Sequence, residues 1–356
     1  MAGQGYAVHL LCGSTSAELE ALCHREHATL HVAETAREPS VRSDLRSFLG
    51  VLRSMRSLRP HVLVAGTPKM SLLSLVAARM LRVPVRIYLC HGLRFEGANG
   101  LARRTLQLLE RVLITCATDV VAVSATVRDA LITMGASTAR LHLVGHGSAN
   151  GVDHHRFTSE VPDKVATRQF SDETPFVLLF VGRLTRDKGT LELEAIARHF
   201  SSNPNVLLKI VGTPEAADQE DQRRIERLTT MAGVDYIPHV VDVERAYGAA
   251  DLLVLPTRRE GLSTVVIEAG ACGVPTVAYA VTGTIDCIQD GVTGTLVPPG
   301  DLGGLIRAIE TFADDPERTK GAGRAAARLV RARFDQPVVW QLWAEFLAAR
   351  RESWAT

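Results

Sequence analysis

Apolar residues recur along this chain in two alternating rhythms. Residues 43–60, "SDLRSFLGVLRSMRSLRP", place Leu45, Phe48, Leu49, Leu52 and Met55 at three- and four-residue spacing until Pro60. That spacing predicts an amphipathic helix, which the proline stops. "HVLVA" (61–65) then reads as a buried strand, "MSLLSLVAARML" (70–81) as a helix and "VRIYLC" (85–90) as a strand. A helix over 101–117 and the strand "DVVAVS" (119–124) follow, with Ser124 placed to cap a helix over 125–134, and "RLHLVG" (140–145) closes the half. A polar stretch, roughly 150–175, reads as a linker. The alternation then restarts with "FVLLFVG", "VLLKIVG", "VDYIP", "DLLVLP", "PTVAYA" and "GTLVP", each followed by a loop or helix.

Continuous apolar strands separated by helices indicate parallel sheets covered on both faces. The fold class expected is therefore α/β, with two doubly wound, Rossmann-like domains facing a cleft where strand C-terminal ends meet ligands. The expected domains are 1–155, 156–334 and a C-terminal helix, 335–356, packing back on the N-terminal domain. Trp340, Trp343, Phe346 and Leu347 supply an apolar stripe for that helix. A length of 356 residues fits two cores better than one. There is no repeat of about 20–50 residues.

Composition adds little: 46% hydrophobic and 22% charged residues describe an ordinary soluble globular chain. No apolar run reaches the ~18 residues of a membrane span, and the first residues do not read as a signal peptide. Six cysteines without metal-type spacing read as reduced core residues, so a cytoplasmic location is expected. Charge changes the picture more. Residues 1–155 carry 17 Lys and Arg against 11 Asp and Glu, whereas the remainder carries 23 against 28. The basic half suits an anionic surface such as lipid headgroups on the inner face of a membrane, or is a solvated surface. No nucleic-acid motif accompanies it, so no nucleic-acid partner is expected.

Two loops carry candidate chemistry. "FVGRLTRDKG" places Arg183 and Lys188 after a strand, a pair suited to phosphate but also common on solvated loops. "LPTRREGLSTVVIEAGACG" sets Glu260 and Glu268 eight positions apart. A helix starting near Leu262 would turn its free N–H groups toward an anion beside Gly261. Glu268, about two turns in, can accept hydrogen bonds from vicinal hydroxyls, or forms an intradomain ion pair. Glu260 projects into the cleft, or is an ordinary exposed carboxylate. His91, at the end of a strand, is a cleft candidate or a neutral strand-closing histidine.

Together, Glu260–x7–Glu268 preceded by Arg183 and Lys188 resembles the retaining family 4 glycosyltransferases of GT-B fold. "TPKMSLLSLVAARMLRVPVRIYLCHGLRFE" and "GSANGVDHHRF" resemble the capsule and bacillosamine-transferase-like branch, whose members use UDP-sugars, and "GVTGTLVPPGD" also fits the family. The resemblance implies a hexosyltransferase in which Arg183 and Lys188 bind the donor diphosphate. It implies that Glu268 holds the ribose hydroxyls and that Glu260, with the backbone of Gly261, Leu262 and Ser263, faces the donor sugar. The loop around His239 and Val240 would meet the uracil, and His91 would be the catalytic-cleft histidine. No Asp-x-Asp occurs, so no metal and no cofactor are expected, with a UDP-sugar such as UDP-N-acetylhexosamine as co-substrate. The acceptor expected is a lipid-linked saccharide or natural-product intermediate, at a peripheral membrane location. Family members open with a strand, a glycine-rich loop and a helix ahead of the segment that resembles "GQGYAVHLLCGSTSAELEALCHRE". The expectation is that this first βα unit is missing, which favours a dimer or a partner protein. The rival readings are a non-catalytic or partner-dependent sugar-nucleotide-binding protein and a UDP-sugar epimerase.

Overall fold

The computed structural model describes residues 5–33, 41–158, 175–240 and 242–355, so most of the expected linker lies outside the described residues. The chain divides into two units. Met1–Val123, Arg128–Val144 and Gln341–Thr356 form the first, and Ser124–Val127 with Gly145–Trp340 the second. The division falls at 144/145 and 340/341, where the sequence pattern suggests 155/156 and 334/335. The cause is that residues 151–157 are packed in the second unit. Val152 donates its N–H to the Phe334 carbonyl at 2.7 Å, and Phe157 is buried edge-on against Tyr247.

The first unit runs β1 (Val8–Cys12), α1 (Ala17–Arg25), β2 (Ala28–Val32), α2 (Val41–Leu58), β3 (Val62–Ala65) and α3 (Pro68–Met80). It continues with β4 (Val85–Cys90), α4 (Gly100–Cys116), β5 (Asp119–Ala122), α5 (Ala125–Thr133), which counts here from Arg128 onward, and β6 (Leu141–Leu143). The residues of the periodic pattern fold as expected. Pro68 opens α3 where its missing N–H costs nothing, and Ser124 Oγ accepts from Val127 N at 3.2 Å to cap α5. β1 and β2, which the periodicity did not single out, pair in parallel as a sheet of their own, beside a parallel sheet ordered β3-β4-β5-β6. Leu11 of β1 and Leu63 of β3 nonetheless pack on one cluster, with Val51 and Met55 of α2 and Ala77 and Ala78 of α3. The two sheets thus share a core without sharing a ladder.

The second unit holds β7 (Phe176–Val181), α6 (Thr190–Phe200), β8 (Val206–Val211), α7 (Gln219–Thr229), β9 (Val234–Ile237), α8 (Val243–Gly248) and β10 (Leu252–Leu255). After these come α9 (Thr264–Ala271), β11 (Thr276–Tyr279), β12 (Gly294–Val297), α10 (Leu302–Ala313) and α11 (Pro316–Phe334). Its parallel sheet is ordered β12-β11-β10-β7-β8-β9, so every strand ends at the same edge. Leu178, Leu179, Leu252, Leu253 and Val254 are fully buried, as a sheet covered on both faces requires.

The last helix, α12 (Gln336–Ala355), joins the first unit from Gln341 onward. There Arg350 Nε lies 2.6 Å from Asp119 Oδ1, and Phe346 packs on His142 with ring centroids 5.2 Å apart. The buried stripe of α12 is Val339, Trp343 and Leu347; Trp340, grouped with it on spacing, is 56% exposed. At about 100° per residue Trp340 lies roughly 60° from Trp343, at the margin of the stripe rather than at its centre.

Candidate functional site

The order of the large sheet reverses at one place. From β7 the chain steps outward through β8 and β9, then returns to the other side of β7 with β10. The loops after β7 and β10 therefore diverge from adjacent strands and leave a crevice, the position where open α/β sheets bind ligands. Arg183 and Lys188 come from the first loop, and Glu260, Gly261, Leu262 and Ser263 from the second.

Lys188 Nζ donates to Glu260 Oε1 at 2.6 Å, with side chains only 19% and 13% exposed. Neither is the isolated surface charge that the sequence alone would allow. The main chain behind them is tied across the same two loops. Arg258 N–H and the Thr257 hydroxyl donate to the Asp187 carbonyl, and the Arg259 guanidinium reaches Asp187 Oδ2 at 3.1 Å. Gly189, in the left-handed region at φ 88°, lies so close to Pro256 that a Cβ would sit 2.4 Å from its carbonyl oxygen. Only glycine lets the loops meet there. Arg183 is turned away and pairs with Glu215 at 2.6 Å, both about half exposed. Such exposed pairs are worth at most ~1 kcal/mol, so the guanidinium is free to exchange partners.

α9 starts at Thr264, two residues later than the pattern suggests, with Ser263 as its N-cap. Residues 261–263 are held instead against the turn at Gly283, where Ser263 N donates to the Gly283 carbonyl at 3.5 Å. A Cβ on Gly283 would lie 2.6 Å from the Gly261 carbonyl oxygen. The Gly261 carbonyl also accepts from Ser124 Oγ at 2.7 Å. Ser263 is buried, and its hydroxyl has no hydrogen-bond partner among the described residues. A buried hydroxyl left unpaired costs free energy that a bound ligand's polar group would recover. Leu262 packs on the core, as does Val240, which follows β9; His239 beside it is exposed.

Glu268 is half-buried, and the Tyr247 hydroxyl of α8 donates to its Oε2 at 2.7 Å. Burial raises the Glu268 pKa above the usual carboxylate value; Tyr247 and Arg156 oppose the rise and Glu244 adds to it. Tyr247 is fully buried, and burial raises its own pKa first, with Glu268 reinforcing the shift. Tyr247, Asp187 and Arg259 are site residues that sequence reasoning passed over. Their partners lie 21 to 72 positions away, beyond any periodic signal.

A glycosyl transferases group 1 domain matches residues 163–329, and a glycosyl transferase 4-like domain matches residues 1–147. A capsular polysaccharide biosynthesis glycosyltransferase of Staphylococcus aureus, CapM, is 32% identical over 316 residues, 87% of this chain and 82% of that protein. This chain is a family 4 glycosyltransferase. Its GT-B fold is shared with HepE of Anabaena, whose crystal structure contains UDP and glucose (TM-score 0.78, 22% identity, 96% of this chain and 91% of HepE). Sucrose-phosphate synthase of Thermosynechococcus elongatus aligns with a TM-score of 0.76 at 22% identity, over 98% of this chain and 91% of its own.

In the first unit of this glycosyltransferase, His91 directly follows β4. A Cβ on Gly66 would lie 2.7 Å from its Nε2, so Gly66 makes room for the imidazole. Partial burial of the ring lowers its pKa below the ordinary histidine value. Behind it the Tyr88 hydroxyl and the Cys90 thiol face the buried carboxyl of Glu110, whose pKa is raised by burial. Among the described residues, no group of three or more His, Cys, Asp or Glu is arranged to hold a metal ion. No described helix is long and apolar enough to cross a membrane.

Proposed function

We propose that this glycosyltransferase is a retaining, metal-independent hexosyltransferase. It moves a sugar from a UDP-sugar, in our reading a UDP-N-acetylhexosamine, to a lipid-linked saccharide or natural-product acceptor. The observation that carries this reading is the Lys188–Glu260 pair at the reversal of the sheet. An ammonium has three donors, so Lys188 can keep Glu260 and still donate to a phosphate. As the glycosidic bond breaks, negative charge grows on the departing diphosphate. Lys188 and the start of α9, joined by Arg183 once it leaves Glu215, would offset it without an Asp-x-Asp motif. Glu260 and the backbone at Gly261–Ser263 then face the sugar, Val240 the base, and Glu268 the ribose hydroxyls. The acceptor hydroxyl attacks the anomeric carbon on the face from which the diphosphate departs, and its proton passes to a leaving phosphate oxygen. Configuration is kept with no enzymic nucleophile. The reading of a UDP donor is supported by HepE, whose crystal structure contains UDP.

The deciding measurement is UDP binding by calorimetry with and without EDTA, followed by transfer assays across UDP-, GDP- and ADP-sugars. Unchanged UDP affinity in EDTA and turnover with a UDP-sugar alone are expected. Loss of binding on chelation would overturn metal independence, and turnover of a GDP- or ADP-sugar would overturn the donor class. A second reading, a sugar-nucleotide-binding protein that needs a partner to act, is favoured by the divided sheets of the first unit. Turnover by the purified chain would remove it.

A further inference from the structure

The helix α4 presents an inverted pattern. Its buried side carries the helix's only carboxylate, Glu110, while its outer side carries a line of leucines. Leu101 is 79% exposed and Leu108, two turns along the same line, 61% exposed; Leu109 flanks them on one side. On the other side stand Arg104 and Arg111, also seven residues apart and both exposed. Neither guanidinium makes an ion pair among the described residues. Arg103, also exposed, lies over the Phe95 ring at 5.9 Å.

Local helix energetics do not explain this arrangement. The first turn of α4 has no acidic residue, and the Asn99 side chain makes no capping hydrogen bond. Arg103 and Arg104 sit close to the helix start, where the backbone dipole disfavours cations. Nor is the surrounding charge balanced: residues 45–109 contain eleven Lys or Arg and one acidic residue, Glu96.

We propose that the outer face of α4 docks on an anionic lipid bilayer, with Leu101, Leu108 and Leu109 entering the interface and Arg104 and Arg111 meeting the headgroup phosphates. An interfacial helix needs an apolar face rimmed by cations whose long stems can lie along the acyl boundary. This face has both, and it has no exposed carboxylate to repel phosphate. Each arginine adds electrostatic attraction that an uncharged bilayer cannot supply. The inference rests on the proposed function for its purpose, delivery of the enzyme to a lipid-linked acceptor. The binding itself requires neither donor nor acceptor.

The test is co-sedimentation of the full chain with vesicles of phosphatidylcholine alone and with phosphatidylglycerol added. The wild type should bind only the anionic vesicles and be released by salt. The double variants L101E/L108E and R104E/R111E should each weaken vesicle binding at least tenfold, with UDP affinity unchanged because the UDP site belongs to the other unit. Failure of the wild type to bind anionic vesicles, or equal binding by the variants, overturns the proposal. So does a dimer that L101E/L108E converts to monomer without any vesicle binding, because the face is then a protein interface. Sugar transfer to a soluble acceptor is measured in parallel. If it persists while vesicles are not bound, the docking surface alone has failed and the enzymatic reading stands.

Discussion

Tyr247 and Glu268 show how one hydroxyl sets the state of the proposed ribose ligand. Burial raises the Glu268 pKa, so the group takes up a proton at a higher pH than an exposed glutamate. If the ionised form accepts from the ribose, UDP affinity declines as pH falls through that raised pKa. Tyr247→Phe removes the hydrogen bond that opposes the shift, so the decline should begin at still higher pH. Glu268→Gln should abolish this pH dependence. A calorimetric pH series in which Tyr247→Phe leaves the acid limb in place would make the contact purely structural. At the other ligand position, Lys188→Ala and Arg183→Ala should each lose ~2–4 kcal/mol of transition-state stabilisation, read from kcat/KM. Lys188→Ala also leaves Glu260 partly buried without its cation, so circular dichroism and UDP affinity are recorded alongside. Near wild-type turnover in the double variant would remove both cations from the mechanism. Lys188, Arg183 and Glu260 were legible as residue types in loops after strands, and Glu268 as a carboxylate inside a helix. Their partners were not: Lys188 meets Glu260 across 72 positions, and Arg183 meets Glu215 instead of standing free.

Elements obeyed their local pattern more closely than residues obeyed their local neighbourhood. α2 spans the helix predicted from Leu45 to Met55, and the six strands read in the second half are all present. Where the pattern erred, it erred on phase. In α12, spacing alone grouped Trp340 with Trp343, but Trp343 is buried and Trp340 is exposed. Trp343→Ala should therefore cost ~3–5 kcal/mol of stability, as for a large core aromatic, whereas Trp340→Ala should stay within ~0.5 kcal/mol. Chemical denaturation of the two variants checks this, and equal losses would contradict the assigned face. β1 and β2 were harder to see, because their ten residues include Thr29 and two histidines, His9 and His31, that pack on each other.

At the scale of the molecule, the divided sheets of the first unit have a physical consequence. β1 and β3 each have only one hydrogen-bonded neighbour among the described residues, and Val64 of β3 is 45% exposed in a sheet type that ordinarily buries both faces. Unpaired parallel edges with exposed valine favour association. Light scattering of the purified chain should show concentration-dependent self-association that Val64→Lys reduces; a monodisperse wild type would sink this expectation. The alternation of apolar strands and amphipathic helices, set by side-chain periodicity and local capping, was enough to determine two α/β units and the candidate loops. That information is local, because a strand's period and a helix's cap involve residues within a few positions. The order β12-β11-β10-β7-β8-β9 is not local, and it is this order that sets β10 beside β7 and so joins Lys188 to Glu260. The Tyr247 contact to Glu268, the outward leucines of α4 and the separation of β1-β2 from β3-β4-β5-β6 likewise depend on which surfaces other elements cover. Only the packed chain decides that.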